Sequence, residues 1–161
     1  MFEKFGEFDS AEELNLAAEG QKEEEDEEAL KELAVENGID PEDAEDYLDG
    51  VTDKLATPLM AAIGKLSVES RGVKCAEIRE DWLEYIKQQC MDDEEMARAV
   101  RRKGKSLEGC IAELLKWSFA HQIPVDQKIM KAAGVSAGRC TLGIPGMGTA
   151  KRIIKDYYLG K

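Results

Sequence analysis

Apolar positions recur at spacings of three and four along most of the chain, and the interruptions between these groups mark a succession of short helices. Ser10-Ala11-Glu12-Glu13 has the form of a capping box, and Leu14, Leu16 and Ala17 follow it before Gly20, so a first short helix is expected there. A second spans about Asp26 to Asn37, with Leu30, Leu33, Ala34 and Val35 facing inward and Gly38 ending it. Asp40 then caps a third, Pro41 takes its first position, and the segment Glu42 to Asp49 is stopped by Gly50. These two make a helical hairpin. Phe2, Phe5 and Phe8, three residues apart, supply an apolar ridge ahead of the first helix that reads as core packing.

From Asp53 to Ser70 the positions Leu55, Leu59, Met60, Ile63 and Leu66 read as helical, with Pro58 either kinking the helix or beginning a new one after Thr57. Ile78, Trp82, Tyr85 and Ile86 define another, about Ala76 to Gln89, with Trp82 in the core. Asp92 and Asp93 cap a helix through Met96, Ala97 and Val100 that ends in the basic cluster Arg101-Arg102-Lys103-Gly104-Lys105. Ser106 then opens the best-marked apolar helix, with Leu107, Ile111, Leu114, Leu115 and Phe119 on one face as far as about His121. Gly109 inside it costs roughly 1 kcal/mol against alanine and calls for a reason, such as another backbone passing close. Ile123-Pro124 breaks the helix, and Val125, Ile129 and Met130 form a short one before Gly134. Gly138, Gly143, Pro145, Gly146 and Gly148 specify an irregular loop, after which Ile153, Ile154, Tyr157 and Tyr158 mark a last helix. The expected fold is all-α: a compact bundle of seven to nine short helices, with an acidic helical subdomain over residues 1–50 and a main helical domain over 51–161.

Charge sharpens this division. The net charge of -12 resolves into -17 over residues 1–50, -4 over 51–96 and +9 over 97–161. Such a chain either folds its halves against each other or presents two faces of opposite potential. Six acids, Glu23, Glu24, Glu25, Asp26, Glu27 and Glu28, run consecutively and are expected to be solvated, serving as the first turn of the second helix. The basic cluster at 101–105 could dock the acidic hairpin, hold phosphate, or stand in solvent.

Candidate chemistry is sparse. Cys75, Cys90, Cys110 and Cys140 are spaced by 15, 20 and 30 residues with His121 as the single histidine, so neither paired zinc ligands nor a nucleophile beside a base is visible. Reduced and mostly buried thiols are expected, with no cofactor, no metal and no catalytic residue. The hairpin has the cadence of a helix-turn-helix, but Glu42, Asp43, Glu45, Asp46 and Asp49 would set carboxylates against phosphates. An EF-hand fails for want of the glycine at the sixth loop position. Gly143-Ile144-Pro145-Gly146-Met147-Gly148-Thr149-Ala150-Lys151 has glycines before a helix, yet its threonine and lysine are misplaced for a nucleotide loop and no apolar strand precedes it. No apolar run approaches a membrane span, and Met1-Phe2-Glu3-Lys4-Phe5 lacks a secretory pattern, so a soluble cytoplasmic protein is expected.

Lys105-Ser106-Leu107-Glu108-Gly109-Cys110, followed by an amphipathic helix, resembles the lysine-x-x-x-glycine-cysteine signature of PcfK-like proteins. That family is carried by conjugative plasmids and prophages of Gram-positive bacteria and includes an anti-CRISPR inhibitor of the type II RNA-guided nuclease. The resemblance implies a non-enzymatic mobile-element protein acting in the bacterial cytoplasm, whose partner is a CRISPR effector nuclease. Partner-binding candidates are then Glu23, Glu24, Glu25, Asp26, Glu27, Glu28, Glu42, Asp43, Glu45, Asp46 and Asp49, carboxylates able to enter a groove built for nucleic acid. The alternative is a nucleic-acid-binding accessory protein of a prophage or plasmid, acting through Arg98, Arg101, Arg102, Lys103, Lys105, Lys151, Arg152 and Lys155.

Overall fold

The computed structural model describes residues 2–160, of which the helical part is distributed over nine helices. Side-chain oxygens start most of them. Ser10 accepts from the Glu13 amide to open α1 (Ala11–Glu23), Asp26 opens α2 (Glu27–Glu36), and Asp40 with Pro41 opens α3 (Pro41–Leu48). Thr57 caps α4 (Pro58–Val73), so Pro58 begins a helix and does not kink one; residues 51–57 are a loop. α5 (Ile78–Asp92), α6 (Glu94–Arg101) and α7 (Leu107–Ala120) follow, then α8 (Gln127–Ala132) and α9 (Met147–Leu159). A two-stranded antiparallel ribbon, β1 (Ile123–Pro124) with β2 (Thr141–Leu142), brackets α8, where only loop was expected.

Two apolar clusters meet on opposite faces of α4. Ala61 belongs to the first, which takes Leu14 and Ala18 from α1, Leu30, Leu33 and Ala34 from α2, and Ala44 and Tyr47 from α3. Ala62 and Leu66 belong to the second, with Trp82 and Ile86 of α5, Met96 and Val100 of α6, Leu107, Cys110 and Leu114 of α7, and Ile154 and Tyr158 of α9. The acidic subdomain therefore shares a helix with the bundle. The backbones approach closely where they meet: a Cβ on Gly64 of α4 would lie 2.3 Å from the Asn37 carbonyl oxygen, and one on Gly38 would lie 2.4 Å from that of Gly64. Gly38 also has φ of 69°, so it both ends α2 and lets α4 pass.

A seam of buried polar groups runs beside this crossing. Arg101 is 1% exposed; its guanidinium donates to Asn37 Oδ1 at 2.8 Å and lies over the rings of Phe2 and Phe8. Lys65, fully buried, donates to Glu7 Oε1 at 2.5 Å and to the Arg102 carbonyl at 2.8 Å. Glu69 accepts the first free amide of α7, Leu107 N, at 2.8 Å. Burial pushes the Glu69 carboxyl above its ordinary value, against the opposing pull of that amide and of Lys65. Glu69 therefore holds its proton more tightly folded than unfolded. Its contribution favours the fold below the unfolded carboxyl pKa and is lost as pH rises through the raised folded value. Urea midpoints at about pH 5 and about pH 7 should show this slope in the wild type and a shallower one in Glu69→Gln; an unchanged slope would contradict it.

The lysine-x-x-x-glycine-cysteine stretch has a structural reason, and its centre is Tyr157. Lys105 Nζ donates to the Tyr157 carbonyl at 2.5 Å and lies 4.8 Å from its ring centroid. The Ser106 amide donates to Tyr157 Oη at 2.9 Å, and a Cβ on Gly109 would sit 2.3 Å from that oxygen. The close neighbour demanding glycine is thus a side chain rather than a backbone. Cys110, one residue on, is fully buried in the second cluster. Gly109→Ala is expected to cost about 2 kcal/mol, and adding Tyr157→Phe should recover part of it despite the lost acceptor. Thermal unfolding of the two single variants and the double variant measures this non-additivity.

Several inward positions need correction. Val35, Leu115 and Phe119 are 57%, 54% and 74% exposed, because α2 and the end of α7 have no helix packed on those flanks. α1 continues through Gly20 to Glu23, so the six-acid run is divided: Glu23 ends α1, Glu24 to Asp26 form the turn, and Glu27 and Glu28 begin α2.

Candidate interaction surface

The carboxylates of α1–α3 point outward. Glu23, Glu24, Glu25, Asp26, Glu27 and Glu28 are all exposed, and Asp26 accepts from the Ala29 amide at 2.9 Å while capping α2. Glu25 bends the turn with φ of 58°, a left-handed conformation that costs a non-glycine residue roughly 1 kcal/mol. Glu42, Glu45, Asp46 and Asp49 are exposed on α3 and its end, and Asp43 is half-buried. Glu45 meets Lys31 at 3.5 Å, whereas Lys22 turns inward to the Tyr47 carbonyl and ring. Tyr47 is itself pushed up by burial and by the nearby charges of Glu19 and Glu23. Both helices begin with acids, where the positive end of the dipole offsets part of the mutual repulsion. The result is a fixed array on two capped helices.

The basic residues are placed differently. Arg98 bridges Glu94 at 2.8 Å and Glu12 at 2.6 Å, joining α6 to α1. The Lys103 amide donates to Asp9 at 2.9 Å, and its ammonium lies 4.0 Å from Glu13. Arg101 is buried and Lys105 is held by Tyr157, so neither offers a phosphate a free cation. The cluster docks on acids of α1 and the segment before it, leaving the nominated acids of the hairpin outward. Arg102, Lys151, Arg152 and Lys155 stay exposed, with Lys151 over the Tyr85 ring and Arg152 3.8 Å from Asp156.

His121 is exposed, whereas Cys90 and Cys110 are enclosed. His121 stacks on Trp117 with centroids 4.2 Å apart, and its Nδ1 lies 2.8 Å from the Trp117 carbonyl. Burial pushes the Cys90 and Cys110 thiols up to about 12, which suppresses their thiolates at neutral pH. All four cysteines are free. Among the described residues no cluster of His, Cys, Asp or Glu is arranged to hold a metal, and no helix is long and apolar enough to cross a membrane. Comparison with family models, with curated proteins and with solved structures finds no match for this chain.

The surface holds one feature that the sequence reading passed over. On α1, Glu12, Leu16, Glu19 and Glu23 follow at spacings of 4, 3 and 4, all exposed on one face. Leu16 and Glu19 border a groove of about 370 Å³ that also takes in Tyr47 and Asp53. The i, i+4, i+7 spacing was visible in the residues, but Leu16 reads as one more core position until its exposure is known.

Proposed function

We propose that this protein is a non-enzymatic inhibitor that sets the carboxylates of α1–α3 in a cationic groove made for nucleic acid, the groove belonging to an RNA-guided nuclease. The observation that carries this reading is the contrast between the two charged halves. The acids at 23–28 and 42–49 are outward except for half-buried Asp43, while Arg101 is buried, Lys105 is held by Tyr157, and the exposed Arg98 and Lys103 lie against Glu12 and Glu13 of α1. A groove that binds backbone charge is open to competition by fixed carboxylates. Capped helices reduce the ordering cost that a flexible acidic tail would carry. The nuclease as target follows from the resemblance of Lys105 to Cys110 to PcfK-like proteins, and the acidic surface supplies the means.

The test is plasmid cleavage by a purified type II effector and guide RNA, with the protein added before or after guide loading, beside a DNA gel shift without nuclease. Inhibition without a shift supports the reading, and order of addition identifies the blocked step. Undiminished cleavage across several effectors, with a salt-sensitive shift, overturns it and moves the function to Arg102, Lys151, Arg152 and Lys155.

A further inference from the structure

Between α7 and α9 the chain carries α8 and the ribbon on an arm in which Met130 and Pro145 are the buried residues of 121–146. Large apolar side chains are instead exposed along it and on the adjoining end of α7: Leu115, Phe119, Ile123, Ile129, Leu142 and Ile144. Leu115 and Phe119 stand one turn apart on α7. Ile123 and Leu142 are direct partners across the ribbon, so they share a face. Exposed apolar residues grouped this way mark a surface that another molecule covers.

The charges around this patch indicate what covers it. Residues 115–152 hold six bases and one acid, Asp126. Lys128, Lys131 and Arg139 are exposed and form no ion pair among the described residues. A patch with an apolar centre and a cationic rim fits an acidic surface with an apolar centre. The α1 face has that composition: Leu16 lies between Glu12 and Glu19, with Glu23 beyond and Asp53 across the groove; Arg98 already pairs Glu12 and Lys54 also lines the groove, so Glu19, Glu23 and Asp53 supply the acidic charge.

We propose that the arm of one copy docks on the α1 face of a second copy. Arm-to-arm pairing would oppose like charges, whereas the α1 face sets acids against the bases of the arm. If each arm lies on the other's α1 face, the assembly closes at two copies and leaves no interface open. This contact stands independently of the proposed inhibition, although Glu23 belongs to both surfaces.

Light scattering on the eluting full-length protein, at tens of micromolar and low ionic strength, should give about twice the 17.9 kDa chain mass, falling towards the monomer as salt is raised. Lys128→Glu with Lys131→Glu should halve the apparent mass, and so should Glu19→Lys with Glu23→Lys; all four residues are exposed, and circular dichroism checks that each variant keeps its helices. An equimolar mixture of the two variants should then regain the doubled mass, since each supplies the charge the other lacks. A monomeric wild type, variants that remain dimeric, or a mixture that stays monomeric would overturn the proposal. So would a monomer whose arm shifts DNA in a gel, which would assign the arm to nucleic acid.

Discussion

Gly64→Ala is expected to cost about 3 kcal/mol, more than any exposed substitution in the chain, and to lower the melting temperature by roughly 6–12 °C. The added methyl would stand 2.3 Å from the Asn37 carbonyl oxygen and 3.0 Å from that of Gly38. Both obstacles are backbone, and the backbone there is fixed: Asn37 is buried and bonded to Leu33 and Arg101, and Gly38 already has φ of 69°. Relief requires moving α2 away from α4 and opening the first cluster. Gly20→Ala is the control. Gly20 lies inside α1 with open space around its Cβ position and no positive φ, so alanine there should stabilise by about 0.5–1 kcal/mol. Thermal and urea unfolding of the two variants gives the contrast; equal effects would mean that the α2–α4 crossing is looser than described.

The second large effect is expected at Arg101. Truncation to alanine removes a buried side chain whose guanidinium lies over Phe2 and Phe8, leaves a cavity, and strips Asn37 Oδ1 of its donor, for a loss of about 3 kcal/mol. Burial pulls the Arg101 guanidinium below its ordinary value, with Glu7, Glu69 and Glu13 opposing, and two of its nitrogens have no hydrogen-bond partner among the described residues. The charge is thus costly to hold, even though the side chain is needed to fill the space. Arg101→Met keeps most of the volume without the charge and should lose no more than about 1 kcal/mol. Urea unfolding of both variants separates packing from charge, and a methionine variant as weak as alanine would assign the stability to the charge.

Much of the helix order was legible because it rests on local chemistry. Asp40-Pro41, Asp93 and Ser106 are caps whose bonds close within three residues, so the sequence reading agrees with the structure at those starts. What escaped depends on partners distant in sequence. Nothing local marks Lys65 and Glu69 as buried, and the cluster holding Arg101 was left between docking, phosphate binding and solvent, yet each of the three is buried and bonded to a group 36 or more residues away. Leu115 and Phe119 have the spacing of core positions, but periodicity identifies a face without saying whether anything packs on it. The ribbon strands are two residues each, too short to leave an alternating pattern. At the candidate surface, the outward acids of α2 and α3 were legible from the density of charge. The engagement of Arg98 and Lys103 by Glu12 and Asp9 was not, because the partners lie 86 and 94 residues apart.

The most direct measurement is a cleavage titration with an RNA-guided nuclease, comparing the wild type with two charge-reversed proteins. One carries Glu24→Lys, Glu27→Lys, Glu42→Lys and Glu45→Lys on the hairpin; the other carries Arg152→Glu and Lys155→Glu on α9, and all six positions are exposed. The hairpin reversal is expected to raise the half-inhibitory concentration by about tenfold or more, the equivalent of roughly 1.4 kcal/mol of lost binding, while the α9 reversal leaves it unchanged. Inhibition that survives the hairpin reversal and disappears with the α9 reversal would contradict the assignment of the binding surface to α1–α3.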